Sequence, residues 1–254
     1  MRSMLLVLVV MVLPVQACTI TVAYNEVAAP PHYVGDGGKI PAQPGAAVEL
    51  VNMAAASLGC HIQWRRMPIK RILRDLELNA IDATMALSFS KVRAQSFAYP
   101  MAKNGLPDEA LAVWTSSYDF YVKRGSTLRW DGQQFNQKPQ GVGANAGFSV
   151  VQDLQRIGIT AEVAPADVNN FGKLVTGRIE VFAGQDLTDA QLRAQPEFHR
   201  IKKLTPAFAH KPYYLVFSKE YYAHSPHTAQ ALWRKIAQTK RLHGRALEEK
   251  YTAP

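Results

Sequence analysis

The chain has 254 residues, 48% of them apolar, enough for a core in one large domain or two modest ones. A net charge of +9 suits an anionic partner, but the basic residues are spread along the chain. Their densest cluster, RRMPIKRILR from Arg65 to Arg74, falls on one expected helix and its approach, so it reads as a solvated helix face and no nucleic-acid partner is expected.

Residues 1–17, MRSMLLVLVVMVLPVQA, set a lone Arg2 before an apolar run from Met4 to Leu13, then Pro14 and small residues ending at Ala17. That is the three-part pattern of a secretory signal peptide with its cut after Ala17. The run is too short for a permanent span, which needs about 20 residues, and no later segment comes close. An exported, periplasmic protein is the expectation.

The cut leaves Cys18 at the new N-terminus, with Cys60 as the only other cysteine. Two readings stay open. VQAC loosely resembles a bacterial lipobox, whose cysteine is acylated, although Gln16 is unusual there. Alternatively Cys18 and Cys60 pair, as an oxidising compartment allows. The chain order favours pairing: Cys18 directly precedes the strand-like TITVAY and Cys60 directly precedes HIQW, so neighbouring parallel strands would bring both sulfurs to one end of a sheet.

Beyond TITVAY, a helix is expected over PGAAVELVNMAAASLG, opened by Pro44 and stopped by Gly59. CHIQWRR is the next strand, and Pro68 opens a second helix on which Ile69, Ile72, Leu73 and Leu76 share a face. AIDATMALS is a third strand, completing a βαβαβ order that implies a parallel sheet covered by helices. After Pro100 come a strand at YDFYVKRG, loop and turn through STLRWDGQQFNQKPQ, and a strand, glycine turn and helix in GVGANAGFSVVQDLQRIG. TAEVAP, DVNNFGKLVTGRI and EVFAG then read as strand, helix and strand, a second βαβ set with its own small core. KPYYLVFSKEYY supplies a further strand, and helices follow from the cap signal at Ser225 and Pro226. The expected fold class is α/β: two lobes, each a mostly parallel sheet flanked by helices, with a ligand cleft between them. Behind the leader at 1–17, lobe one takes 18–117, lobe two takes 118–207, and 208–254 returns to lobe one.

Within MALSFSKVRAQSFAYP, Arg93 offers a planar fork of donors matched to a carboxylate, and the Ser88 hydroxyl and free backbone N–H groups can share that anion. The glycines at 141, 143 and 147 miss the dinucleotide-binding spacing by one residue, which argues against a phosphate loop. Tyr33, in YNEVAAPPHY, can lay a flat ring against an apolar ligand body, and Glu26 at the strand end suits a cationic ligand. Four Trp and ten Tyr imply a well-filled core with aromatics left to line a sugar or peptide site. His224 and His227 stand three apart without a Cys or acidic partner at a supporting spacing, and no nucleophile elbow or metalloprotease motif is present. Neither a metal nor a cofactor is expected.

The run from Pro44 to Pro100 resembles the first half of the bacterial periplasmic solute-binding proteins of the polar amino acid transporter type, extracellular family 3. GVGANAGFSVVQDL and VTGRIEVFAGQD are similar to that family's second-lobe motifs. The resemblance implies a two-lobed type II periplasmic-binding fold that closes on its ligand, with hinge strands near YDFYVKRG and KPYYLVFSK. It implies that Arg93 and Ser88 grip a ligand carboxylate from lobe one, with Ala86 in the same binding set. Gly147, Phe148 and Ser149 would meet that carboxylate from a helix start in lobe two. The family's ammonium-binding Asp falls at Gln185, next to Asp186, and a neutral amide cannot balance an ammonium charge. The implied function is capture of a small carboxylated solute, an amino acid or analogue, by a monomer that delivers it to the membrane subunits of an ABC importer. Two alternatives share the fold: an exported enzyme such as a dehydratase acting on a cyclic carboxylate, with Glu26 or Asp186 as acid or base, and a ligand-sensing partner of a membrane receptor.

Overall fold

The structure is a computed structural model that describes residues 18–186 and 199–252; the expected leader lies outside them. β1 (Cys18–Asn25), α1 (Ala46–Ala56), β2 (Cys60–Met67), α2 (Ile69–Glu77) and β3 (Ala83–Ser88) follow in the expected βαβαβ order, with β1 parallel to both β2 and β3. The register sets Cys18 opposite Cys60, and the two form a disulfide. A sulfur committed to that bond carries no acyl chain, so the pairing alternative is the one realised.

Helix α1 buries Ala47, Val48, Leu50, Val51, Ala54 and Ala55, the face that its spacing anticipates. On α2, Ile72 and Leu76 are buried and Ile69 and Leu73 pack half-buried against the same cluster. The basic cluster around α2 departs from expectation at one residue. Arg65, Lys70, Arg71 and Arg74 are exposed, but Arg66 is buried. Its guanidinium donates to the carbonyls of Lys39 (3.0 Å), Glu26 (2.8 Å) and Gly35, and lies 5.2 Å from the centre of the Tyr24 ring. A buried cation needs such a set of acceptors, and this one pins the loop that follows β1.

After α3 (Lys91–Ser96), a two-residue β4 (Phe97–Ala98) and a single 3-10 turn at Glu109–Leu111, β5 (Trp114–Lys123) leads into the second half. There β6 (Val142–Asn145), α4 (Val150–Arg156), β7 (Ala161–Ala164), α5 (Asp167–Thr176) and β8 (Val181–Gln185) form a second parallel set in the order β8-β6-β7. β9 (Ile201–Lys203) pairs with β5, and β10 (Ala209–Ser218) returns to β3. The full strand order is β2-β1-β3-β10-β5-β8-β6-β7.

The two halves meet where β5 and β10 run antiparallel. β10 pairs with β5 through Ala209–Tyr213 and with β3 through Tyr213–Phe217, while β5 passes from β10 to β8 at Tyr118. Along β10, Tyr213, Leu215 and Phe217 enter one core cluster, and Tyr214 and Val216 the other, as a strand buried on both faces requires. The second half has a small core of its own around Tyr121, Phe171, Leu174 and Phe182. Its opposite face, with Val142, Val150 and Leu154, belongs to the main cluster, so the separate core that the sequence suggests covers only one side of that sheet.

The C-terminal segment differs from expectation in two ways. The strand stops at Ser218, whose hydroxyl accepts from the Tyr221 N–H and starts α6 (Lys219–His224). Then α7 (Pro226–Thr252) is one helix of 27 residues, running through Gly244. A glycine inside a helix costs only about 1 kcal/mol, and the strong helix formers around it carry the helix across. Leu232, Trp233 and Ile236 bury against the first half, and Lys250 pairs with Glu49 of α1 at 2.7 Å. Among the described residues, no helix is long and apolar enough to cross a membrane.

The disulfide joins residues 42 apart, a loop whose closure contributes about 4 kcal/mol in the chain-entropy view. Replacing both cysteines by alanine is expected to lower unfolding free energy by up to about this amount, read by urea titration. The unreduced protein, denatured, should show no thiol to a thiol reagent; two titratable thiols would contradict the pairing.

Candidate functional site

The site begins with an irregularity in β3. Met85 pairs with Leu215 but Leu87 pairs with Tyr214, so the register shifts between them. Met85 therefore joins one core cluster and Leu87 the other, although a regular strand would place residues two apart on one face. Ser88 then lies opposite Tyr213, buried where the halves cross.

Ser90 caps α3 by accepting from the Arg93 N–H at 3.3 Å, and this short helix returns the Arg93 side chain over the end of β3. Nη1 donates to the Ser88 carbonyl at 2.8 Å and to its hydroxyl at 3.3 Å. Nη2 reaches the second half and donates to the Gly147 carbonyl at 2.6 Å. Gly147 has φ 81°, a left-handed conformation that disfavours other residues, and a Cβ there would sit 3.3 Å from Ile69 Cγ2. Two residues on, the buried Ser149 hydroxyl is 2.7 Å from that of Ser88 and accepts from Lys211 Nζ at 2.9 Å. Lys211 also pairs with Asp153. Burial pushes the Lys211 pKa down, against the pull of that carboxylate. The inner cleft thus gathers hydroxyls from both halves beside the Arg93 guanidinium.

Its other wall is aromatic. His32 stacks on Trp114 (centroids 4.6 Å), and Trp114 stacks on Tyr213 at 5.0 Å, nearly parallel. Tyr33 meets Trp114 and Tyr24 edge-on. Gly45 sets that position: with φ 118°, its Cβ would lie 2.4 Å from Tyr33 Cα, so only glycine lets α1 start so close beneath the loop. The Tyr118 and Tyr213 hydroxyls are 2.8 Å apart, and Gln185 Nε2 donates to Tyr213 at 2.8 Å. Burial pushes the Tyr213 hydroxyl up to about 12, so it stays protonated.

Two adjoining cavities lie between the halves. The inner one has about 20 Å³ of free volume, space for roughly one water molecule, and the outer about 90 Å³. Of the residues singled out in the sequence, Arg93, Ser88, Tyr33, Phe148 and Gln185 all line the inner cavity. Gly147 contributes its carbonyl to Arg93. Asp186 lines only the outer cavity, where its Oδ1 is 2.6 Å from Lys203 Nζ. Glu26 lines neither; it lies just past β1, whose last residue, Asn25, lines both. The side chain of Ala86 lies outside those described. Sequence reasoning missed Tyr118 and Tyr213, although both lie in the strands read as a hinge. It also missed Lys211, which precedes Pro212 in β10, and Asn145 and Asp167, which meet at the rim of the outer cavity. No local pattern marks these residues: Tyr118, Tyr213 and Lys211 are placed by the crossing of β5 with β10, and Asn145 and Asp167 by the pairing of β6 with β7 and the start of α5.

Burial lowers the His32 pKa to about 4. The folded protein therefore refuses a proton that the unfolded chain binds between pH 6.5 and about 4. Stability should fall as pH drops through that window, with His32 contributing up to about 1.4 kcal/mol per pH unit. His32→Gln is expected to flatten this part of the profile, measured by urea unfolding at stepped pH; an unchanged slope would exclude His32 as its source.

No family model matches the chain, and no curated protein sequence matches it. Solved structures do. A histidine kinase sensor domain with similarity to periplasmic binding proteins superposes with TM-score 0.71 at 14% identity, covering 92% of this chain and 96% of that one. The GluR0 ligand-binding core from Nostoc punctiforme, in complex with L-glutamate, gives 0.67 at 16%, covering 92% and 100%. The arginine-, lysine-, histidine-binding protein ArtJ from Geobacillus stearothermophilus gives 0.68 at 13%, covering 92% and 95%. These neighbours are of the kind that the sequence resemblance implies, and the chain has their two-lobed periplasmic-binding-protein fold.

Proposed function

We propose that this protein captures a small carboxylated solute, an amino acid or close analogue, by closing its two lobes, and hands it to an ABC importer outside the cytoplasm. The observation that carries the reading is the Arg93 guanidinium at the junction of the lobes, with the Ser88 and Ser149 hydroxyls beside it and aromatic rings opposite. A carboxylate suits that donor set, because Arg93 can offer two parallel N–H bonds and each serine one O–H. Arg93 now donates to the Ser88 and Gly147 carbonyls, neutral acceptors that a charged carboxylate outcompetes.

The narrow inner cavity fits a protein that must open to admit its ligand. The hinge in this reading is β5 with β10, since each pairs within both halves. Lobe one then comprises 18–117 and 208–254, and lobe two 118–207. The likeness to a structure named as an arginine-, lysine-, histidine-binding protein supports the solute class, and likeness to others named as substrate-binding proteins of amino acid ABC transporters supports the transporter partner. A second reading, delivery of the ligand signal to a membrane receptor, is favoured by the sensor-domain neighbour and uses the same cleft.

The test is thermal unfolding against a panel of amino acids, analogues and small organic acids. A ligand at 100 times its dissociation constant adds about 2.7 kcal/mol, a readily measured shift in midpoint. Arg93→Ala is expected to abolish the shift while its circular dichroism stays native; retained affinity would sink this assignment.

A further inference from the structure

Charge in the cleft is arranged along its length. Arg93 is the one permanently cationic side chain lining either cavity among the described residues, and it lines the inner one. The titratable His32 of the outer cavity is held neutral by burial. The carboxylates lining these cavities are Asp167 and Asp186, both in the outer one. Asp186 is already paired with Lys203, which also approaches Asp119 at 3.7 Å. Gln185 is neutral and donates to Tyr213.

Asp167 is different. No cationic side chain pairs with it among the described residues, and its one side-chain hydrogen bond comes from Asn145 Nδ2 at 2.5 Å. Asn145 is held in turn by Asn170, fully buried on α5, whose Nδ2 donates to Asn145 Oδ1 at 2.9 Å. Asp167 is also the first residue of α5, where the helix dipole favours an anion. Helix and amide relay fix the carboxylate at the rim of the outer cavity without neutralising it. Burial raises its pKa, with Asn145 pulling the other way, and its field in turn helps raise the Tyr33 and Tyr118 hydroxyls across the cleft. A partly desolvated, unpaired carboxylate costs free energy until a cation arrives.

We infer that Asp167 receives the cationic group of the ligand whose carboxylate lies on Arg93, in the role that neutral Gln185 cannot fill. The inference rests on the carboxylate-capture reading above and refines it by naming the ligand class. Asp167 does not line the inner cavity with Arg93, and Gln185, Tyr33, Asn25 and Phe148, which line both cavities, span the interval. The ligand is therefore a carboxylate whose cation stands several bonds away, an ω-amino or guanidino acid or a basic amino acid, in preference to an α-amino acid with a neutral side chain.

The experiment is titration calorimetry of the mature protein with β-alanine, γ-aminobutyrate, δ-aminovalerate, ε-aminocaproate, lysine and arginine. Each ω-amino acid is paired with the amine-free alkanoate of the same chain length, and alanine is the reference. At least one ligand with a distant cation is expected to bind more tightly than alanine. Asp167→Asn should weaken that ligand about tenfold or more and leave the matching alkanoate unchanged. Asp167→Ser, which keeps a polar group at the helix start, should behave alike and guards against a folding defect, checked by melting. Equal losses for aminated and amine-free ligands, or no loss, would overturn the assignment of Asp167 alone. Failure of every carboxylate to bind, or binding that survives Arg93→Ala, would instead remove the capture reading and this inference with it.

Discussion

The antiparallel crossing of β5 with β10 is the constraint from which the rest of the architecture follows. Among the described residues it supplies the only strand pairing between the two parallel sets, and each of its strands also completes the sheet of one half. Where that pairing ends, the Trp114 ring stacks on Tyr213, and the Tyr213 hydroxyl meets the Tyr118 hydroxyl and the Gln185 amide. Aromatic surface there is buried from water while the hydroxyls satisfy one another, so the junction is apolar in bulk and polar at one edge. The cleft lies along that edge.

A junction built this way suits movement. Its backbone pairing is short, whereas the parallel sets on either side are locked by buried helices and, in the first half, by the disulfide and by Arg66. In the proposed closure, flexing two strands costs less than disrupting either core, so rigid halves would turn about β5 and β10. The bonds that bridge the cleft, from Arg93 to Gly147 and between Ser88 and Ser149, are polar contacts that water or a ligand can replace.

Polar groups in the cleft also differ in how well they are compensated. Lys211 is tied to Asp153 and Ser149, and Asp186 to Lys203, so these charges serve mainly to hold the protein together. Among the described residues, Arg93 is met only by neutral acceptors, and the side-chain partner of Asp167 is an amide. In a partly desolvated site, charges left without counter-charges bias the cavity toward a ligand that carries the opposite pair.

Much of this was legible in the sequence. Alternating and helical spacings, with Pro44, Gly59 and Pro68 as punctuation, located β1 through β3 and their helices, and the place of Cys18 and Cys60 at the start of two strands anticipated their pairing. Arg93, Ser88 and Tyr33 were legible from side-chain chemistry within a short motif, and Phe148 and Gln185 from the second-lobe motifs that carry the resemblance. Other features depend on long-range pairing, which leaves no local trace. The shift opposite Tyr214 and Leu215 breaks the alternation of β3, and Arg66 is buried only because three carbonyls from a distant loop converge on it. Tyr118, Tyr213, Lys211 and Asp167 reach the cleft or its edge from segments far apart in the chain. Periodicity and functional groups within short windows were enough to set the α/β elements and to single out Arg93 as a side chain suited to an anion. Only the tertiary structure decided which carboxylate shares the cleft with that arginine uncompensated, because charge compensation depends on which distant side chains the fold brings within reach.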